Sequence, residues 1–78
     1  MTNTEKYNKA FIDTFDVKES DLADLDYQSI SEWDSVGHME LMATLEEAFD
    51  IMMDIDDIID FSSYKKGKEI LRVYNVIL

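Results

Sequence analysis

Three side chains that could act together as a catalytic triad lie within five residues of one another: Asp34, Ser35 and His38. In a triad, the histidine takes the proton of the serine hydroxyl while a carboxylate orients the histidine from behind. Positions 35 and 38 share one face of a helix, but groups so close together at a helix start offer neither that orienting partner nor an oxyanion hole. We therefore expect the chain not to be an enzyme, Ser35 not to be a nucleophile that the chain itself uses, and His38 to be an exposed or half-exposed helix residue.

Four aspartates in the second half of the chain are a candidate calcium site: Asp54, Asp56, Asp57 and Asp60. An EF-hand loop beginning at Asp54 would need glycine at its sixth position and a bidentate glutamate at its twelfth. The sequence has Ile59 and Lys65 at those positions, so it predicts no specific metal site. Loose divalent binding that relieves repulsion among the carboxylates stays open as an alternative.

The element that must position Ser35 is a helix, predicted to begin at Asp34 or Ser35 as its cap and to end at about Phe49 or Asp50. Apolar residues recur along this segment at helical spacing and form a wide stripe. The centre of the stripe is Leu41, Leu45 and Phe49, and its other members are Val36, Met39, Met42 and Ala48.

The N-terminal segment also has helical spacing. Thr2 and Glu5 form a T-x-x-E capping box in front of a helix predicted over residues 4–15. That helix carries an aromatic side chain at every fourth position: Tyr7, Phe11 and Phe15. Residues 16–33 lose the period and read as a long loop with one short helical turn after Ser20. The loop is expected to be pinned to the core by four apolar residues: Val17, Leu22, Leu25 and Ile30.

The C-terminal third contains one short helical segment and one longer helix. Aspartate caps precede Ile55, Ile58 and Ile59, which leave room for only a turn or two. Ser62 or Ser63 then caps a final helix whose inward residues are predicted to be Tyr64, Ile70, Leu71, Tyr74 and Ile77. The sequence thus predicts an all-α single domain over residues 1–78, a small bundle of three main helices plus one short helix, with no strands.

The composition excludes several classes of protein. Eighteen acidic and seven basic residues give a formal net charge of −11, which argues against nucleic acid and against stable membrane binding. There is no cysteine for a disulfide or a thiolate zinc site. No apolar run approaches the roughly 20 residues needed to span a bilayer, and the N-terminus does not resemble a signal peptide. We expect a cytoplasmic monomer.

The acidic residues are concentrated in one part of the chain. Sixteen of them lie between Asp13 and Asp60, where Lys18 is the only base. Such a surface can be a solvated face that maintains solubility or a docking surface for a basic partner. Charge alone leaves both interpretations open.

The segment from Asp34 to Ile51, DSVGHMELMATLEEAFDI, resembles the Asp-Ser-Leu motif and second helix of acyl carrier proteins. The likeness extends to an acidic loop, a short third helix and a Ser-Ser-capped fourth helix. It implies that Ser35 receives 4'-phosphopantetheine from coenzyme A through a magnesium-dependent phosphopantetheinyl transferase, and that this enzyme recognises Asp34. Cargo would then travel as a thioester on the thiol of that arm, which explains how a cysteine-free chain could run thiol chemistry.

The resemblance also implies partners and a docking surface. An acyl- or aminoacyl-loading ligase would charge the thiol, and downstream transferases or synthases would unload it. Glu46 and Glu47 lie near the negative end of the predicted helix dipole, where acids cost stability, which indicates selection for another purpose. Acids on this helix would dock against basic patches, flanked by an apolar footprint. By position the acids are Glu40, Glu47 and Glu46, and the footprint is Val36, Met39 and Ala43.

Some residues depart from the pattern of fatty-acid carriers and favour a carrier of a specialised pathway. Gly37 in the first helical turn costs about 0.5 to 1 kcal/mol relative to alanine and could let a partner approach closely. Trp33 is either a core anchor for the long loop or part of a recognition surface. Four methionines are expected to fill the core, with a deformable interior that admits an acyl chain as the alternative. They are Met39, Met42, Met52 and Met53. A helical interaction domain without the prosthetic group is the second hypothesis for the whole chain.

Overall fold

The computed structural model describes all 78 residues, Met1 to Leu78, as four α-helices and one 3-10 helix, with no strands. In chain order these are α1 (Asn3–Phe15), the 3-10 helix (Glu19–Asp24), α2 (Ser35–Phe49), α3 (Ile55–Asp60) and α4 (Tyr64–Val73). The predicted all-α bundle of three main helices plus one short helix is confirmed. The helical turn expected after Ser20 is the 3-10 helix.

The helix starts follow the capping residues that the sequence offers. Thr2 and Glu5 make the predicted capping box: the Glu5 N–H donates to Thr2 Oγ1 at 3.1 Å, and the Thr2 N–H donates to Glu5 Oε1 at 2.9 Å. The Lys66 N–H donates to Ser63 Oγ at 2.9 Å, so Ser63 rather than Ser62 is the N-cap of α4. These bonds satisfy amides that have no partner within the helix.

Aromatic side chains of α1 and of the long loop form one part of the core, which α2 and α4 complete with Leu41, Met42, Leu45, Tyr64, Ile70 and Leu71. Tyr7, Phe11 and Phe15 are all buried, as predicted, and Trp33 is completely buried among them. The Trp33 indole stacks on Phe15 with a centroid separation of 5.2 Å. Trp33 is therefore a core anchor for the loop, and it is not part of an exposed recognition surface. Leu22 is buried as well and pins the 3-10 helix to the same core.

The C-terminus differs from the prediction, which continued the helical pattern to Ile77. Helix α4 ends at Val73, and Asn75 adopts a left-handed conformation with φ of 66°. The Val76 N–H then donates to the Leu71 carbonyl at 3.1 Å, as in a Schellman cap. This reversal shifts the inward position by one residue, so that Val76 is buried while Ile77 is 71% exposed.

Because the Tyr7 hydroxyl is buried, we expect the folded protein to lose stability in alkaline solution. It lies in the core and donates a hydrogen bond to the Tyr64 carbonyl at 2.7 Å. Burial, and secondarily Tyr64, raises the pKa of Tyr7 above its ordinary value of 10.0. The unfolded chain therefore ionises first, so this contribution to stability is complete below pH 10.0 and is lost as the pH rises further.

Denaturant titrations of the wild type and of Tyr7→Phe across this pH range measure the effect. The variant should lose about 1 kcal/mol at neutral pH because one hydrogen bond is gone, and its free energy of unfolding should fall less steeply above pH 10.0. Equal slopes for the two proteins would contradict the assignment.

Candidate functional site

Ser35 is the first residue of α2, and the residue before it fixes the start of the helix. The Asp34 side chain accepts a hydrogen bond from the Gly37 N–H at 2.8 Å, and the Asp34 carbonyl accepts one from the His38 N–H at 2.8 Å. Asp34 is thus the N-cap, one of the two residues predicted for that role. The Ser35 side chain is exposed and makes no hydrogen bond within the chain, so its hydroxyl is open to another protein.

Gly37 is buried in the first turn of α2, where the chain itself occupies the space that a side chain would need. A Cβ at this position would lie 1.9 Å from the Glu32 carbonyl oxygen and 3.2 Å from a ring carbon of Phe15. The expectation that Gly37 lets a partner approach is therefore wrong. Its role is to let the loop pass directly over the helix start, which brings Trp33 into the core.

His38 is half-buried, and both of its ring nitrogens are engaged away from Ser35. Nδ1 accepts a hydrogen bond from the Trp33 indole N–H at 3.0 Å, and Nε2 lies 2.7 Å from the Ile58 carbonyl oxygen. Because a carbonyl only accepts, Nε2 must carry the proton, so the imidazole is the Nε2–H tautomer. No hydrogen bond joins His38 to Ser35, so Asp34, Ser35 and His38 do not form a catalytic triad in this structure.

A cleft of about 440 Å³ opens beside Ser35 between α2 and α3. Its volume lies within the range of about 300 to 1,000 Å³ that is usual for small-molecule sites. The lining is largely apolar and comes from four parts of the chain. It consists of Ser35, His38 and Met39 from α2, Ile55, Ile58 and Ile59 from α3, Phe61 and Ser62 from the following turn, and Tyr27 from the long loop.

The α3 wall of this cleft is a feature that the sequence prediction missed. Ile55 and Ile59 are 73% and 71% exposed, and no residue of α3 is buried. Of the three isoleucines in this six-residue helix only Ile58 packs against the core, so Ile55 and Ile59 leave apolar surface available to a ligand or a partner. That combination of short length and three isoleucines is the sequence signal that could have identified the wall.

Five of the six predicted docking residues are exposed along α2: Val36, Met39, Glu40, Ala43 and Glu47. Val36 and Met39, which are 66% and 55% exposed, therefore do not belong to the inward stripe in which the periodicity also placed them. The buried centre of α2 is instead Leu41, Met42 and Leu45, while Phe49 is only partly buried.

Glu46 has a structural partner that the sequence did not reveal. Its Oε2 accepts a hydrogen bond from the Met53 N–H at 2.9 Å, and the side chain is half-buried. This hydrogen bond attaches the loop before α3 to the end of α2. It therefore explains within the fold why an acid occupies position 46, near the negative end of the helix. The unfavourable interaction of an acid with the C-terminal end of the helix dipole therefore indicates selection for partner binding only at Glu47, which is exposed.

The methionines divide between the core and the surface. Met42 and Met53 are buried, as expected of core filler. Met39 and Met52 are 55% and 86% exposed, so the prediction that all four fill the core is wrong for these two. Met39 lines the cleft, which places one adaptable thioether beside Ser35.

No three carboxylate or imidazole side chains come close enough to hold a metal ion. None of the helices has both the length and the apolar character that a membrane-spanning segment needs. Comparisons of the chain with protein-family models, with curated proteins and with solved structures returned no match. The assignment of a function therefore depends on the resemblance of the Asp34–Ile51 segment and on the geometry around Ser35.

Proposed function

We propose that the chain is a cytoplasmic acyl or aminoacyl carrier protein whose Ser35 is modified with 4'-phosphopantetheine. The thiol of that arm carries pathway intermediates as thioesters between partner enzymes, and the chain itself catalyses no reaction. The observation that carries the proposal is the exposed Ser35 hydroxyl at the first position of α2, next to the mouth of an apolar cleft.

The start of α2 suits a phosphodiester. A helix N-terminus presents free amides and the positive end of the helix dipole, which favour an anion by about 0.3 to 1 kcal/mol at an exposed site. The Asp34 carboxylate already occupies the Gly37 amide, and its charge does not favour a neighbouring phosphate. Asp34 therefore serves by capping the helix and, as the resemblance implies, by being recognised by the transferase.

The cleft beside Ser35 suits the attached arm or its cargo. Six of its nine lining residues are hydrophobic, so an alkyl or pantetheine segment that enters it leaves water. Burial of apolar surface is worth about 25 cal/mol per Å². The exposed Ile55 and Ile59 of α3 and the exposed Met39 of α2 gain from the same contact, because they line the cleft and are otherwise hydrated.

The exposed acids of α2 suit partner enzymes with basic docking patches. Glu40 and Glu47 are exposed on the helix that begins at Ser35. Complementary charge mainly accelerates encounter and makes it sensitive to salt, which fits brief contacts with a transferase, a loading ligase and downstream transferases or synthases. A carrier must leave each of these partners, and a monomer is the state that serves this best.

Charge reversal on α2 should slow modification of Ser35. We expect Glu40→Lys with Glu47→Lys to lower kcat/KM of a phosphopantetheinyl transferase by about tenfold at low salt, and the difference should shrink as salt is added. Glu69→Lys with Asp24→Lys is the matched control, since it changes the net charge by the same amount and both residues are exposed and lie outside α2. An equal loss in the control would show that only net charge matters, and the docking surface would then be wrong.

The direct test is incubation of the purified chain with coenzyme A, magnesium and a phosphopantetheinyl transferase of broad specificity. Covalent addition of one phosphopantetheine group supports the proposal, and complete absence of addition by a transferase that modifies a control carrier contradicts it. The exposed apolar surface of α2 and α3 also fits a helical interaction domain without a prosthetic group. In that case a partner would bind the unmodified chain and Ser35→Ala equally well.

A further inference from the structure

Helix α3 forms one wall of the cleft, and Ile58 is its only apolar side chain that packs against the core. None of the α3 residues is fully buried. The nearest fully buried residues lie on either side of the helix and are Met53 and Phe61. Apolar packing therefore fixes the two ends of the segment, and within the helix it is limited to the partly buried Ile58, so polar contacts carry much of the attachment of α3. A short helix that is held in this way is expected to be among the least stable parts of a domain.

Two side chains from other elements hydrogen-bond to residues 54–60. Tyr74, which follows α4, contacts the N-terminal end, where its hydroxyl accepts from the Asp54 N–H at 2.8 Å and bonds to Asp57 Oδ2 at 2.5 Å. His38 of α2 contacts the C-terminal half through the Ile58 carbonyl. Of the two, only His38 also lines the cleft.

The His38 contact satisfies a group that α3 cannot satisfy itself. Ile58 lies in the last turn of α3, where the carbonyls have no amide partner within the helix. A donor near the C-terminal end is also favoured by the helix dipole. The Trp33 indole orients the imidazole for this bond, because its N–H donates to Nδ1 and the two rings lie nearly parallel, with an interplanar angle of 14°.

We infer that His38 is a positioning residue: its Nε2–H bond to Ile58 ties α3 to α2 and sets the width of the cleft beside Ser35. The chain of contacts runs from the core through Trp33 and His38 to α3, so a rigid group supports the otherwise loosely held wall. When the tie is broken, α3 moves more freely and the cleft opens. The inference concerns the unmodified chain and does not depend on any group being attached to Ser35.

Two substitutions of His38 separate its two hydrogen bonds. The amide oxygen of His38→Asn falls near the Nδ1 position and can still accept from Trp33, but the side chain does not reach Ile58. The amide nitrogen of His38→Gln falls near the Nε2 position and can still donate to Ile58. Both variants lose the ring, so each controls for the packing that the other has lost.

Backbone hydrogen exchange measured by nuclear magnetic resonance on the unmodified proteins tests the inference. We expect the α3 amides to exchange about three- to tenfold faster in His38→Asn than in His38→Gln. The α2 amides from Leu41 to Leu45 should exchange equally in both, and the Trp33 indole proton should exchange faster in the glutamine variant. Equal α3 rates in the two variants, or faster rates in His38→Gln, would overturn the role of Nε2.

A measurement on the wild type keeps the inference testable if either variant fails to fold. Long-range nitrogen–proton spectra of His38 should show a protonated Nε2 and a bare Nδ1, with the Nε2 proton protected from exchange by the Ile58 carbonyl. A neutral ring protonated at Nδ1 would break both hydrogen bonds, and it would overturn the inference regardless of the variants.

Discussion

Replacement of Ser35 by alanine is expected to abolish transfer of phosphopantetheine to the chain. The transferase needs a hydroxyl at this position, and the structure offers one that is exposed and free of internal hydrogen bonds. The fold should be unaffected, because Asp34 makes the N-cap bond and the Ser35 side chain supports nothing. Labelling with a fluorescent coenzyme A measures the effect, and we expect no label above that of a reaction without transferase.

Ser31→Ala is the matched control for this experiment. Ser31 is also exposed, lies four residues earlier in the chain, and bonds only to the neighbouring Glu32 carboxylate. This variant should be labelled as fast as the wild type. Label that persists in Ser35→Ala would move the attachment site to another residue, whereas loss of label in both variants would point to a general defect in recognition.

Replacement of Gly37 by alanine is expected to destabilise the protein by about 2 kcal/mol or more, in the range found for overpacked cores. Helix propensity alone predicts the opposite, a gain of about 1 kcal/mol. The new methyl group would lie 1.9 Å from the Glu32 carbonyl oxygen, a backbone atom next to the completely buried Trp33. The loop can yield only by pulling the indole out of its place against Phe15.

Denaturant unfolding of Gly37→Ala, with Ala43→Gly as its control, separates the two effects. Ala43 is exposed on α2, so its change to glycine reports the propensity difference alone, about 1 kcal/mol of lost stability. A net gain in stability for Gly37→Ala would mean that the loop relaxes freely, and the close approach would then carry no energetic weight. The same overlap is expected at Gly67, where a Cβ would lie 2.1 Å from the Phe61 ring and 2.2 Å from the Tyr7 hydroxyl.

Local signals in the sequence were enough to predict the helices that carry the site. The Thr2–Glu5 capping box, the Asp34 cap and the Ser63 cap each lie at an observed helix start. Capping residues act on amides three positions away, so short stretches of sequence contain the information. The buried aromatics of α1 were predictable for the same reason, since their spacing follows one helix face.

Features that depend on the meeting of distant segments were not predictable in this way. The hydrogen bond from Met53 to Glu46 joins the loop before α3 to α2. It gives Glu46 a structural role, whereas the sequence alone indicated a docking role. The contacts of His38 with Trp33 and Ile58 likewise depend on how the loop and α3 pack against α2. The reversal at Asn75, which buries Val76 and exposes Ile77, breaks the periodicity on which the prediction of the last turn was based.

If Ser35 is the tether for a prosthetic thiol, the intact mass of the chain must record the attached group. Mass spectrometry of the protein purified from its own cells, before and after treatment with coenzyme A, magnesium and a transferase, is the measurement. We expect a species about 340 Da heavier than the amino acids alone, the mass of one phosphopantetheine group, with the addition mapping to Ser35. A chain that always weighs only what its residues weigh would contradict the account.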